Sequence, residues 1–326
     1  MSSLLSSLGE LFDSSAVQKL GGMLGADPSA ITKGLGAAGP LILGGLSRTA
    51  AAPGGADSIL KMLPKEGMLG GITGLFGMLA GGGPSAMVNS ILGPGSNAIG
   101  AALSKTLGFN VAPLLGVVAP ALLGVVGKMM KDKQVDGGGL AAMLKTEHDS
   151  FAAEPANAGA MQLVQGALAA GDDASKLMAS YGADWDAVTL APAAALMAVA
   201  SSDLSGPIGT VKEAKAASDQ LKSIAGEAAA SSLLAAAFAG GSDKEMLDRL
   251  RNFTGSKDAI FEAVARGTAA VKAKSPAEAA AYASMILSVA QAAAEASKEG
   301  GFLGIGGTLV SDDERAALER LRGIVS

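Results

Sequence analysis

The chain has 326 residues, a net charge of −5, 17% charged and 3% aromatic residues, one histidine and no cysteine. Those counts exclude a disulfide framework, a cysteine nucleophile, and a zinc site built within one chain on cysteines or a histidine pair. Histidine acid–base chemistry has His148 alone to draw on.

Length predicts about two domains, at roughly 100–200 residues each. Composition shifts near residue 150: the first half holds 29 Gly and 8 Pro, the second 47 of the 66 Ala. Ala loses no side-chain entropy in a helix, and neither half has strand-like alternation. The expected fold is all-α, with a Gly/Met-rich helical domain over 1–157 and an Ala-rich helix bundle over 158–326.

Residues 1–15 carry Glu10 and Asp13 and no basic residue. A signal peptide opens with a positive region, so a cytoplasmic location is expected. Two related units follow, at about 14–48 and 96–130. Each runs through a helix, a Leu-Gly turn (Leu24-Gly25, Leu107-Gly108), a short helix, and an apolar helix opened by Pro40 or Pro120. Proline suits a first helical turn, where its missing N–H costs nothing. Between the units, residues 67–104 carry no charge. In the second half Asp184-Trp185 opens a helix, and Pro192 is expected near its first turns or at a kink. Three Ser-x-x-Glu pairs, Ser242/Glu245, Ser275/Glu278 and Ser311/Glu314, predict capping boxes and helix starts near 243, 276 and 312. Gly182, Gly240-Gly241 and Gly300-Gly301 are expected helix stops.

Leu24-Gly25-Ala26-Asp27-Pro28, the segment Pro40 to Leu46, the Gly-rich centre, and Gly139 to Leu144 followed by Ser150-Phe151-Ala152-Ala153 together resemble a bacterial YidB-like domain of unknown function. That resemblance implies a compact helical domain and carries no functional residues. Residues Val289 to Gly301 and then Val310 to Glu314 loosely resemble a TerB-like domain of the tellurite-resistance group. Asp203 is not followed by Gly, which departs from that family's acidic loop.

Gly34-Leu35-Gly36-Ala37-Ala38-Gly39 matches GxGxxG, but a dinucleotide site needs a strand before it and a helix after it. Gly124 to Met129 lacks the upstream glycine and the hydroxyl residue of a phosphate loop. His148 reads as a solvated histidine near a helix end. Gly171-Asp172-Asp173 and Asp203 to Ser205 read as short acidic loops without calcium-loop spacing, and Asp312-Asp313-Glu314 as a helix start. No metal, cofactor, small-molecule substrate or catalytic residue is expected.

Residues 107–127 are uncharged and long enough for a membrane span. The competing reading is a buried helix, broken at Gly108–Asn110 and at Pro113 or Pro120. The same break pattern around Pro40 favours the buried helix. Near-neutral charge and eleven aromatics speak against nucleic acid. The expectation is a non-catalytic structural or interaction protein that forms homo-oligomers or a scaffold. Its candidate surface is Met68, Leu69, Leu75, Phe76, Met78, Leu79, Met87, Ile91 and Leu92. Membrane association is the alternative, and a nucleic-acid-binding helical module the further one.

Overall fold

The computed structural model describes residues 3–64, 84–200, 206–229, 232–238, 256–296 and 310–326. Among them are fifteen α-helices, two single 3-10 turns and no strand. The fold is all-α. Contacts group into two units, residues 1–173 and 174–326. This division falls inside a helix, Ala158–Tyr181, while the sequence reading places it at the short turn Pro155–Asn157.

The first unit begins with α1 (Leu4–Leu11), α2 (Ser14–Leu24), α3 (Pro28–Ala51) and α4 (Gly55–Met62). It continues with α5 (Pro84–Leu92), α6 (Ser96–Leu107), α7 (Ala112–Asp132), α8 (Gly137–Ala153) and most of α9 (Ala158–Tyr181). Asp13 caps α2 by accepting the Ala16 N–H at 2.8 Å. The helix α2 ends on Gly25, in the left-handed region at φ 62°, and α3 starts three residues later with Pro28 in its first turn. The same sequence of events joins α6 to α7 through Gly108, at φ 77°.

Pro40 and Pro120 do not open helices. They lie inside the continuous 24-residue α3 and 21-residue α7. A proline ring crowds the carbonyl four residues earlier and offers it no N–H. Glycine occupies that earlier position in both cases, as Gly36 and Gly116.

The glycines of α3 set the packing of this unit. A methyl group at Gly34 would lie 2.8 Å from Leu114 Cδ2 of α7. One at Gly39 would lie 3.1 Å from Leu5 and Leu8 of α1, and one at Gly44 3.4 Å from the His148 ring of α8. At Gly45 it would meet Leu92 Cδ2 at 2.7 Å and Ile91 Cγ2 at 2.9 Å, both on α5. Each neighbour helix therefore approaches α3 where it has no side chain. Gly36 differs: it is exposed, and a methyl group there meets nothing within 4 Å. Leu41, Ile42, Leu43 and Leu46 of the same helix are fully buried. One long-range bond ties the chain's start to this core, since the Glu147 carboxylate of α8 accepts the Leu4 N–H at 2.9 Å. That bond supplies a partner for one of the unpaired N–H groups of the first turn of α1.

The second unit contains the end of α9, α10 (Asp184–Ala200), α11 (Gly206–Glu227), α12 (Leu233–Phe238), α13 (Lys257–Lys274), α14 (Ala279–Ala296) and α15 (Asp312–Val325). Gly182, at φ 56°, stops α9 as the sequence suggests. Lys274 donates to the Tyr181 carbonyl at 2.7 Å and pairs with Asp184 at 2.7 Å, a cation at a helix C-terminus. Small side chains dominate the interface of α10 with α13. A methyl group at Gly267 would stand 2.6 Å from the Ala187 carbonyl oxygen and 2.8 Å from Ala191 Cβ.

Pro192 lies in the middle of α10, so the Val188 carbonyl has no N–H at position 192 to accept. The Tyr282 hydroxyl of α14 donates to that carbonyl instead, at 2.7 Å. Tyr282 is fully buried, and burial raises its pKa well above the usual phenol value, so it stays a donor.

Of the three expected capping boxes, Ser311/Glu314 forms, with Glu314 N to Ser311 Oγ at 3.1 Å and Ser311 N to Glu314 Oε2 at 2.7 Å. Ser242/Glu245 lies outside the described residues, as do Gly240-Gly241 and Gly300-Gly301. Ser275 makes no side-chain cap, because Pro276 turns the chain into a 3-10 turn. Glu278 reaches across to accept the Leu233 N–H of α12 at 2.7 Å.

Two outcomes follow from this packing. Gly45→Ala should lower stability by about 1–3 kcal/mol through overpacking, while Gly36→Ala should raise it by about 0.5–1 kcal/mol through helix propensity. Chemical denaturation of the two variants checks both signs. Tyr282→Phe should cost about 1–3 kcal/mol by leaving the Val188 carbonyl unpaired. In a Pro192→Ala background, which returns an N–H to that carbonyl, a double-mutant cycle should give a smaller cost.

Candidate binding cleft

The first unit carries a cleft of about 660 Å³ between α1, α2, α3 and the end of α8. That volume falls within the range of small-molecule sites, roughly 300–1,000 Å³. Its floor is apolar and buried: Leu8, Phe12, Val17, Gly39 and Pro40. Leu5, Leu35 and Phe151 form half-buried walls, and Gly9, Ser14, Gln18, Pro28, Ser29, Thr32 and Gly36 the exposed rim. Among the described residues no charged side chain lines it.

Local sequence explains the opening. Phe12 follows the last turn of α1 and folds into the core through its Cap position, where its N–H bonds the Gly9 carbonyl at 3.1 Å. Gly9 and Gly36 present no side chain, and no described residue comes within 4 Å of where one would begin. Gly36 and Pro40 stack one turn apart on α3, and the proline leaves the Gly36 carbonyl without its usual helical donor. The Thr32 hydroxyl donates back to the Pro28 carbonyl at 2.9 Å, which leaves its oxygen as an acceptor at the rim.

Of the nine residues expected to form an interaction surface, Met68, Leu69, Leu75, Phe76, Met78 and Leu79 lie outside the described residues. Met87 is half-buried. Ile91 and Leu92 are interior, at 3% and 6% exposure, because they fill the space above Gly45. That corrects their place on the expected surface.

His148 lies in the last two turns of α8 rather than free in solvent. Its ring packs on Gly44, and its Nδ1 lies 3.4 Å from Asp149 Oδ1. Asp149 also bonds Lys145, and that bond, with the neighbouring charge, holds its carboxyl below the usual range. Asp172 and Asp173 sit within α9 and not on a loop; Asp172 faces Arg48 at 3.5 Å. Asp203 to Ser205 fall outside the described residues. Among the described residues no group of three or more metal-ligating side chains converges. Gly34, Gly36 and Gly39 lie in mid-helix, which removes the strand–turn–helix setting of a dinucleotide site. Gly124 to Met129 lie within α7.

Among the described residues α7 is the one helix long and apolar enough to cross a membrane, and 67% of its most apolar stretch is buried. The expected break at Gly108–Asn110 is present, and α7 begins after it at Ala112.

Sequence reading missed the cleft. Its signal was thin: Gly36 and Pro40 at i, i+4, and two of the chain's eight phenylalanines, 139 positions apart.

No curated protein and no solved structure matches the chain. The TerB-like resemblance of residues 158–326 finds no support there. For the first unit a family model does match, over residues 6–129, from within α1 to near the end of α7, and its description is a bacterial protein of unknown function (DUF937).

Proposed function

We propose that this protein is a non-catalytic interaction protein that self-associates through its first unit. The observation that carries this reading is the placement of its exposed apolar side chains. Among the described residues the exposed large hydrophobics are Leu11, at 40%, and Met23, at 53%. Both belong to α1 and α2, the helices that form one side of the uncharged cleft. The unit's sequence also holds the uncharged stretch 67–104, with Met68 and Met78 in it. Apolar surface concentrated on one unit favours association, because each side chain removed from water contributes roughly 25 cal/mol per Å².

We read the first unit as YidB-like and as built from two related copies. Gly36-x-x-x-Pro40-x-x-x-Gly44 and Gly116-x-x-x-Pro120-x-x-x-Gly124 support this, spaced by 80 residues. So does the order helix, left-handed glycine, proline-started helix at α2–α3 and α6–α7.

Light scattering on the full-length protein tests self-association. The expected mass exceeds 31.8 kDa and rises with concentration. Leu11→Ser with Met23→Ser should return it toward the monomer, without unfolding, since both side chains are exposed. A wild-type mass that stays at 31.8 kDa at every concentration contradicts the proposal.

A further inference from the structure

We propose that the cleft of the first unit is a binding site for an uncharged, largely apolar small molecule that carries a hydroxyl or similar donor. This goes beyond self-association and does not depend on it.

Four observations converge. The first is size: about 660 Å³ lies within the range of small-molecule sites, roughly 300–1,000 Å³. The second is charge. Among the described residues no Lys, Arg, Asp or Glu side chain lines the cleft. A carboxylate, phosphate or ammonium bound there would lose its hydration and gain no countercharge, which is costly. An uncharged ligand avoids that loss.

The third is emptiness maintained by glycine. Gly34, Gly39, Gly44 and Gly45 of α3 are each filled by a neighbour's side chain, whereas Gly36 and Gly9 face open space. Glycine in a helix interior costs about 0.5–1 kcal/mol relative to alanine, and at these two positions no packing contact offsets it. The cost is understandable where the bare backbone keeps a cleft open. The fourth is polarity at one edge. The Gly36 carbonyl lacks the helical N–H that Pro40 cannot provide, and the Thr32 oxygen stands one turn away. Both accept hydrogen bonds, so they match a donor on the ligand. Phe12 and Phe151 supply flat apolar walls for its body.

The test uses the full-length protein, the uncharged fluorophore N-phenyl-1-naphthylamine, and two competitors of equal chain length, 1-decanol and decanoate. Fluorescence should rise saturably to one site per chain. Decanol should displace the fluorophore, and decanoate should do so at least ten-fold less well. Gly36→Leu should weaken fluorophore and decanol binding at least ten-fold while its melting temperature stays equal or rises, because leucine is the better helix former and its β-carbon enters open space. Gly9→Leu, on a different helix, should weaken binding in the same way. Absence of saturable fluorescence overturns the proposal. So does binding that is unchanged in both variants, or decanoate binding as well as decanol. If the variants instead abolish a concentration-dependent dimer while the wild type takes up no fluorophore, the cleft belongs to a second copy of the chain and the proposal fails. A monomeric wild type that binds the fluorophore overturns self-association and leaves the ligand site standing.

Discussion

Four glycines leave the backbone of α3 bare at positions 34, 39, 44 and 45, and side chains from α1, α5, α7 and α8 occupy those gaps. Close approach of this kind exchanges side-chain volume for backbone contact, and dense interiors gain dispersion energy from it. It also fixes register. A neighbour shifted one turn back from Gly45 would meet Leu41 or Ile42 instead of glycine. The rest of the unit follows from α3: His148 seats α8, Glu147 beside it caps α1, and Ile91 and Leu92 dock α5. The cleft is the one face of α3 where a glycine, Gly36, has no neighbour.

The second unit reaches close packing by another route. Alanines take the place of glycines along α10, and Gly267 lets the backbone of α13 approach Ala187 and Ala191. Proline in α10 creates a defect that a distant residue repairs, Tyr282 bonding the carbonyl that Pro192 leaves free. Glu278 repairs another, at the start of α12, from 45 residues away. The Val188 carbonyl and the Leu233 N–H are thus satisfied across elements, which ties these helices together more specifically than alanine packing alone.

Helical class and the starts near Asp184 and Asp312 were legible in the sequence because they depend on local chemistry: Ser311/Glu314 as a capping box, Gly182 as a stop, the Leu24-Gly25 and Leu107-Gly108 turns, the Ala-rich second half. Pro40, Pro120 and Pro192 misled, since proline's local preference for a first turn yields to burial of the helix on both sides. Ser275/Glu278 misled for a related reason. Its spacing is that of a capping box, but Pro276 diverts the backbone and the carboxylate finds a tertiary partner. The cleft was illegible because it joins Leu5 to Phe151. Nothing local marks Gly36 as open and Gly39 as filled.

The packing of the first unit and the apolar recognition proposed for its cleft share one origin. Both rest on the division between filled and open glycines along one helix. Nuclear Overhauser contacts from the α-protons of those glycines measure that division directly. Gly34 should show contacts to Leu114 and Phe109, Gly39 to Leu5 and Leu8, Gly44 to the His148 ring, and Gly45 to Ile91 and Leu92, with none to another helix from Gly36. Only intrahelical contacts from Gly34, Gly39, Gly44 and Gly45 would contradict the packing from which the cleft is derived.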